Sequence, residues 1–251
     1  MLKIAGLFFI TAVLYAAVGF GGGSTYSALL VLANTDYLIL PSIALICNII
    51  VVSGGTLRFH NQKLIPWRKV WPLFALSVPM AWLGGRIYIA ENVFLLLLGA
   101  ALLVAGLSML VQQKWVDPQP ITPSGRFFVP LIGAALGLLS GLVGIGGGIF
   151  LAPILHLMFW ERSKVIAGVC SAFILVNSFA GLVGQMMKLE QAAYLSNLAD
   201  YWPLFVAVFI GGQIGSISAS GWLNPGWVKS LTAVLILFVA ARLLIRSVSD
   251  F

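Results

Sequence analysis

The chain has 251 residues, 61% of them hydrophobic and 8% charged, with a mean hydropathy of +1.05 and a formal net charge of +7. Soluble domains carry about 25% charged residues, so this composition excludes a water-soluble globular domain. The basic surplus does not read as a nucleic-acid footprint, because the 14 Lys and Arg sit mostly between apolar segments, as basic loops at a membrane face do.

Apolar runs bounded by charges, Pro or Gly predict eight helices. The first covers about residues 4–32 and is interrupted at Gly21, Gly22 and Gly23. Lys3 ahead of an apolar run ending in Ala16 and Ala17 has the outline of a cleavable leader. The run continues into a glycine motif that recurs later, so it is read as a span. The second to fourth helices cover about 41–57, 67–89 and 92–111. A polar linker at 112–126 follows, where Pro118, Pro120 and Pro123 cannot continue a helix. The fifth helix covers about 127–159 with a break at Gly146, Gly147 and Gly148, and the last three cover about 164–187, 201–218 and 227–245.

The halves repeat. GFGGG at 19–23 matches GIGGG at 144–148, 125 residues later, and Ser42, Asn48 and Gly55 match Ser171, Asn177 and Gly184 at an offset of 129. WPLF at 71–74 recurs at 202–205, and Gly84 pairs with Gly215, both at 131. Such ordered matches point to duplication of a four-helix unit. The expected organisation is a first repeat over 1–111, the linker, and a second repeat over 127–251. Eight simple spans with cytoplasmic termini place ten Lys and Arg inside against four outside. If the two glycine-broken elements instead double back, one half is inverted against the other and the count becomes nine against five, with the termini outside.

Three successive glycines inside a membrane helix loosen the backbone and bare its amides. Those amides must face protein or a water-filled cavity. A helix restarting at Ser24 or Ile149 would point a positive dipole end at that cavity, giving an anion site without a basic side chain. Close helix packing is the alternative, which explains isolated glycines well but a triplet recurring at equivalent places much less so. Asn48 and Asn177 stand at equivalent mid-helix positions with Ser42 and Ser171 upstream, and Ser53, Thr56, Ser178 and Gln185 add polar groups. They serve either as glue between helices or as substrate contacts.

The seven acids (Asp36, Glu91, Asp117, Glu161, Glu190, Asp200 and Asp250) all map to loops or termini. A carboxylate relay or an acid-lined cation path is therefore disfavoured, and an anionic substrate fits better. Arg58, Arg86 and Lys164 are candidate cationic partners, or interfacial anchors. His60 and His156 have no metal-ligand spacing, and Cys47 and Cys170 sit in apolar runs with no disulfide framework. The glycine strings lack the Lys-Ser or Lys-Thr of an ATP loop. No nucleophile and base stand together, so neither an enzyme nor a cofactor is expected.

GFGGGS from Gly19, GLVGIGGGIFLAPIL from Gly141 and KVIAGVCSAFILVNSFAGLVG from Lys164 resemble the sulfite exporter TauE/SafE family of membrane permeases, over essentially the whole chain. The first half lacks a counterpart of Pro153, and the second lacks the dense basic loop after Arg58. The resemblance implies a cargo among sulfite, sulfonates and related sulfur-containing or organic anions. Together these readings predict an all-α, polytopic transmembrane helical bundle in a bacterial inner membrane. It would be a secondary transporter working by alternating access, with a proton or sodium as any coupling ion. Backbone donors would come from Gly21, Gly22, Gly23 and Ser24 and from Gly146, Gly147 and Gly148, while Asn48, Ser53, Ser171 and Asn177 would orient the anion's oxygens. A passive anion channel is the alternative, and a membrane-embedded assembly factor ranks last.

Overall fold

The computed structural model describes residues 2–17, 19–111, 128–188, 198–217 and 225–249. Ten α-helices and no strand occur among the described residues. They are α1 (Leu2–Ala17), α2 (Gly23–Leu32), α3 (Leu40–Asn61), α4 (Trp67–Arg86), α5 (Glu91–Val111), α6 (Phe128–Val143), α7 (Gly148–Leu157), α8 (Ser163–Lys188), α9 (Trp202–Ile217) and α10 (Pro225–Ser249). The linker expected at 112–126 lies outside the described residues. Three stretches, Leu40–Asn61, Glu91–Ser108 and Ser163–Lys188, are long and apolar enough to cross a membrane. At about 1.5 Å per residue α3 is about 33 Å long, matching a hydrocarbon core of about 30 Å.

The surface has the wrong polarity for water. Leu57, Trp71, Val104, Leu131, Phe179 and Phe209 are among many large apolar side chains that stand exposed on the outside of the bundle. Soluble monomers rarely carry so much contiguous apolar surface, so lipid is the solvent that this jacket suits. Small residues do the internal packing. On α6, Gly133, Gly137 and Gly141 meet Leu73, Ser77 and Ala81 of α4 in turn, so these two helices run parallel with backbones in close approach.

The same contact steps give the other directions. Phe9 and Val13 of α1 meet Gly211 and Gly215 of α9, again a parallel pair. In α3, Val51 meets Gly212, and Gly54 meets Gln213 and Ser216, so α3 joins α1 and α9 in one direction. Phe74 packs on Phe173, and Gly85 on Gly181 and Gln185, so α8 joins α4 and α6 in the other. Between the groups, α3 and α8 cross antiparallel through Leu45–Gly181, Thr56–Ser171 and Phe59–Gly168. Likewise α5 and α10 are antiparallel through Gly99–Leu244 and Gly106–Leu237.

Equivalent helices of the two halves therefore run in opposite directions, and the closest helix pairs join one half to the other. Gly84 abuts the Leu138 carbonyl, and its partner Gly215 abuts the Val13 carbonyl, positions separated by the same 125 residues as the glycine strings. The broken elements double back. Gly22 lies against Thr11 and Tyr15, Tyr15 bonds Thr25, and Phe8 stacks on Tyr26 with ring centroids 4.8 Å apart. Gly147 repeats the pattern against Leu136 and Ser140. Eight successive crossings would put Lys69 and Glu161 on opposite faces, yet they form an ion pair at 2.5 Å. Tyr88 likewise donates to the Lys188 carbonyl at the other face. The helix directions thus follow the doubled-back arrangement weighed above, not simple alternation.

Candidate substrate site

Both glycine strings build the same local structure. Gly22 at φ 82° and Gly147 at φ 72° hold left-handed backbone as the N-caps of α2 and α7. That conformation costs an L-residue about 1–2 kcal/mol, which is why glycine stands there. The helices restart at Gly23 and Gly148, one residue earlier than the sequence suggests. In the first turns, Thr25 and Tyr26 donate to the Gly22 carbonyl, and Phe150 and Leu151 to that of Gly147. The amides of Gly23, Ser24 and Ile149 have no backbone partner among the described residues. They are the positive ends that helix termini offer to an anion.

The two breaks meet where α3 crosses α8, and Asn48 is the hub. A Cβ on Gly21 would sit 2.5 Å from Asn48 Oδ1, one on Gly146 2.8 Å from Nδ2, and one on Gly23 would run into the same amide. A Cβ on Gly23 would also lie 2.6 Å from the Ile145 carbonyl of the opposite break. Asn48 Nδ2 donates to the Gly144 carbonyl at 3.4 Å, so a side chain of the first half touches the break of the second. The contact steps along α3 and α8 put Asn48 and Asn177 level with this crossing.

Asn177 does not mirror Asn48. Its Nδ2 donates to the Phe173 carbonyl of its own helix at 2.9 Å. Ile174, one turn earlier, lies against Gly21, Gly146 and Gly148 in its stead. Sequence reasoning missed Ile174. Its spacing of three from Asn177 was a usable signal, since it puts both on one helix face. Ser24 Oγ, Asn48 Oδ1, Asn177 Oδ1 and Ser178 Oγ are buried without a hydrogen-bond partner among the described residues. A buried polar atom left unpaired costs about 1–3 kcal/mol, so the junction concentrates unengaged hydrogen-bonding groups.

The remaining candidates fall elsewhere. Ser171 Oγ is hydrogen-bonded to Thr56 Oγ1 at 2.9 Å, toward the Arg58 end of α3. Ser53 is exposed and donates to the Ile50 carbonyl of its own helix, so the structure does not bring it to the junction. Among the described acids, Asp36, Glu161 and Asp200 lie outside the helices and Glu91 is the first residue of α5. The basic residues separate too. Arg86 is exposed and lies over Trp82 at 4.8 Å, as an interfacial anchor does, and Lys164 is exposed. Arg58 Nη1, by contrast, is buried without a partner among the described residues.

A bundle jacketed in apolar side chains, with a buried junction of two broken helices at its centre, is built as a membrane-integral transporter rather than a soluble protein. The family described as Sulfite exporter TauE/SafE matches residues 4–243, and the chain belongs to that family. It is 33% identical over 245 residues, covering 96% of this chain and 97% of the relative, to "Probable membrane transporter protein y4hK" of Sinorhizobium fredii. It is 24% identical to "Probable membrane transporter protein YunE" of Bacillus subtilis, over 94% of each chain. No solved structure matches.

Proposed function

We propose that the chain is a secondary carrier of the bacterial inner membrane for a small anion, of the class of sulfite, sulfonates and related sulfur-containing or organic anions. The observation that carries this reading is the meeting of two glycine-broken helix N-termini at Asn48, with none of the described carboxylates beside them. Bared amides and positive dipole ends favour negative charge where a carboxylate would repel it. The sulfur-anion class rests on the family. The oppositely directed halves support alternating access, in which the two interleaved halves exchange conformations around the junction. The basic face with Arg58, Lys63, Arg68 and Lys69 then lies in the cytoplasm and both termini outside, in keeping with the nine-to-five distribution of Lys and Arg.

The test is uptake by purified protein in liposomes, offered sulfite, sulfate, thiosulfate, taurine, sulfoacetate and a simple carboxylate under proton or sodium gradients. Saturable flux with counterflow of one of these anions supports the carrier. Conductance that does not saturate supports a passive channel instead. No flux of any anion under either gradient would sink the anion reading.

A further inference from the structure

Between the Asn48 junction and the basic face, α3 and α8 are held together by a pair of hydroxyls. Thr56 Oγ1 and Ser171 Oγ lie 2.9 Å apart, both buried, with Gly55 beside Ser171. Thr56 is eight positions beyond Asn48, about 12 Å further along the helix. One turn further out, the Phe59 side chain fills the space between Gly19 and Gly168. The duplication gives this pair a counterpart, because Thr56 corresponds to Gln185 and Ser171 to Ser42 at the offset of 129. Gln185 reaches the Gly141 carbonyl, one turn before Gly144, and Gly144 abuts Pro41 next to Ser42. The counterpart groups thus lie at the opposite end of the crossing. There the same hydrogen bond is not made, and Gln185 Oε1 and Ser42 Oγ are both buried without a partner among the described residues.

We propose that the Thr56–Ser171 hydroxyl pair is a gate between the junction and the basic face, with Gln185 and Ser42 its counterpart toward the other face. The matched groups differ in state: Thr56 and Ser171 are bonded, while Ser42 Oγ and Gln185 Oε1 are buried without a partner among the described residues. A gate in an inverted repeat has this character, closed on one side when the other is free to rearrange. Two neutral hydroxyls suit the purpose. Their bond is worth little enough net to break during a transport cycle, and once parted they offer donors to a passing anion. The inference rests on the reading of the junction as the substrate site, so its test must not depend on knowing the cargo.

The experiment is side-specific thiol labelling. With Cys47→Ala and Cys170→Ala as background, Ser24→Cys reports access to the junction, and Lys63→Cys in a separate variant marks the basic face. An impermeant methanethiosulfonate is added to either face of reconstituted vesicles. Thr56→Val, which keeps the shape but removes the hydroxyl, should speed labelling of Ser24→Cys about tenfold from the Lys63 face and leave the other face unchanged. Thr56→Ser, which keeps a hydroxyl, should label slowly like the parent. Equal rates for Thr56 and Thr56→Val, or faster labelling from both faces alike, would overturn the gate. Should Thr56→Val fail to reconstitute, Ser171→Ala breaks the same bond and carries the same expectation. If no anion moves in flux assays while labelling responds as described, the proposed cargo class fails and the gate stands.

Discussion

At the scale of single residues, the two asparagines separate although the sequence presents them as equals. Asn48 touches Gly21, Gly23 and Gly146 and bonds the Gly144 carbonyl, whereas Asn177 spends its amide N–H on its own helix. Replacement of Asn48 by Leu removes a donor and an acceptor from the junction and leaves shape nearly intact. Loss of one buried hydrogen bond to a charged ligand is worth about 1.5–3 kcal/mol, so flux efficiency in liposomes should fall about ten- to a hundredfold. Asn177→Leu should cost markedly less, and Ser53→Ala nothing measurable, because Ser53 is exposed and bonded locally. Equal losses at both asparagines would refute the asymmetry. The pairing of Asn48 with Asn177 was legible in the sequence, but their inequality was not. It depends on which side chain of α8 reaches the glycines, and Ile174 occupies that place through tertiary packing that no repeat alignment encodes.

At the scale of elements, the glycines were legible as breaks because GGG recurs at matched positions, and the structure turns both into helix N-caps with positive φ. Isolated glycines were harder to read. Gly84 and Gly215 were visible as a repeat pair, but their roles depend on neighbours from the opposite half, the carbonyls of Leu138 and Val13. A side chain at either position would push two helix backbones apart. Gly84→Val and Gly215→Val should each destabilise the bundle by about 1–3 kcal/mol or more, the usual range for overpacking. The effect should appear as a lower melting temperature in detergent, similar for the two because their surroundings match. Gly6→Ala serves as the contrast. It lies in α1 with nothing within 4 Å of its added Cβ, so the better helix propensity of alanine should hold or raise the melting temperature. A fall at Gly6 equal to that at Gly84 would mean that general helix perturbation, not close approach, is being measured.

At the scale of the molecule, the direction of every principal packing pair follows one rule: equivalent helices of the two halves oppose each other. Loop charges alone leaned the other way, since simple alternation gave ten basic residues inside against four, and doubling back gave nine against five. A bias of one residue cannot outweigh geometry, and geometry here is read from pairs such as Lys69 with Glu161. Two loops discriminate the arrangements. In simple alternation, Arg162 shares a face with Asp36, and Asp200 shares the face of Lys63. With both broken elements doubled back, Arg162 joins Lys63 and Asp200 joins Asp36. Single cysteines at these four positions, probed with an impermeant thiol reagent in right-side-out and inside-out vesicles, should therefore label as Arg162→Cys with Lys63→Cys and Asp200→Cys with Asp36→Cys. The result bears on mechanism as well as topology. Halves that oppose each other can exchange conformations and so open the same junction first to one face and then to the other. If Arg162→Cys labelled with Asp36→Cys, the two halves would face the same way, and an exchange of conformations around Asn48 would lose its structural basis.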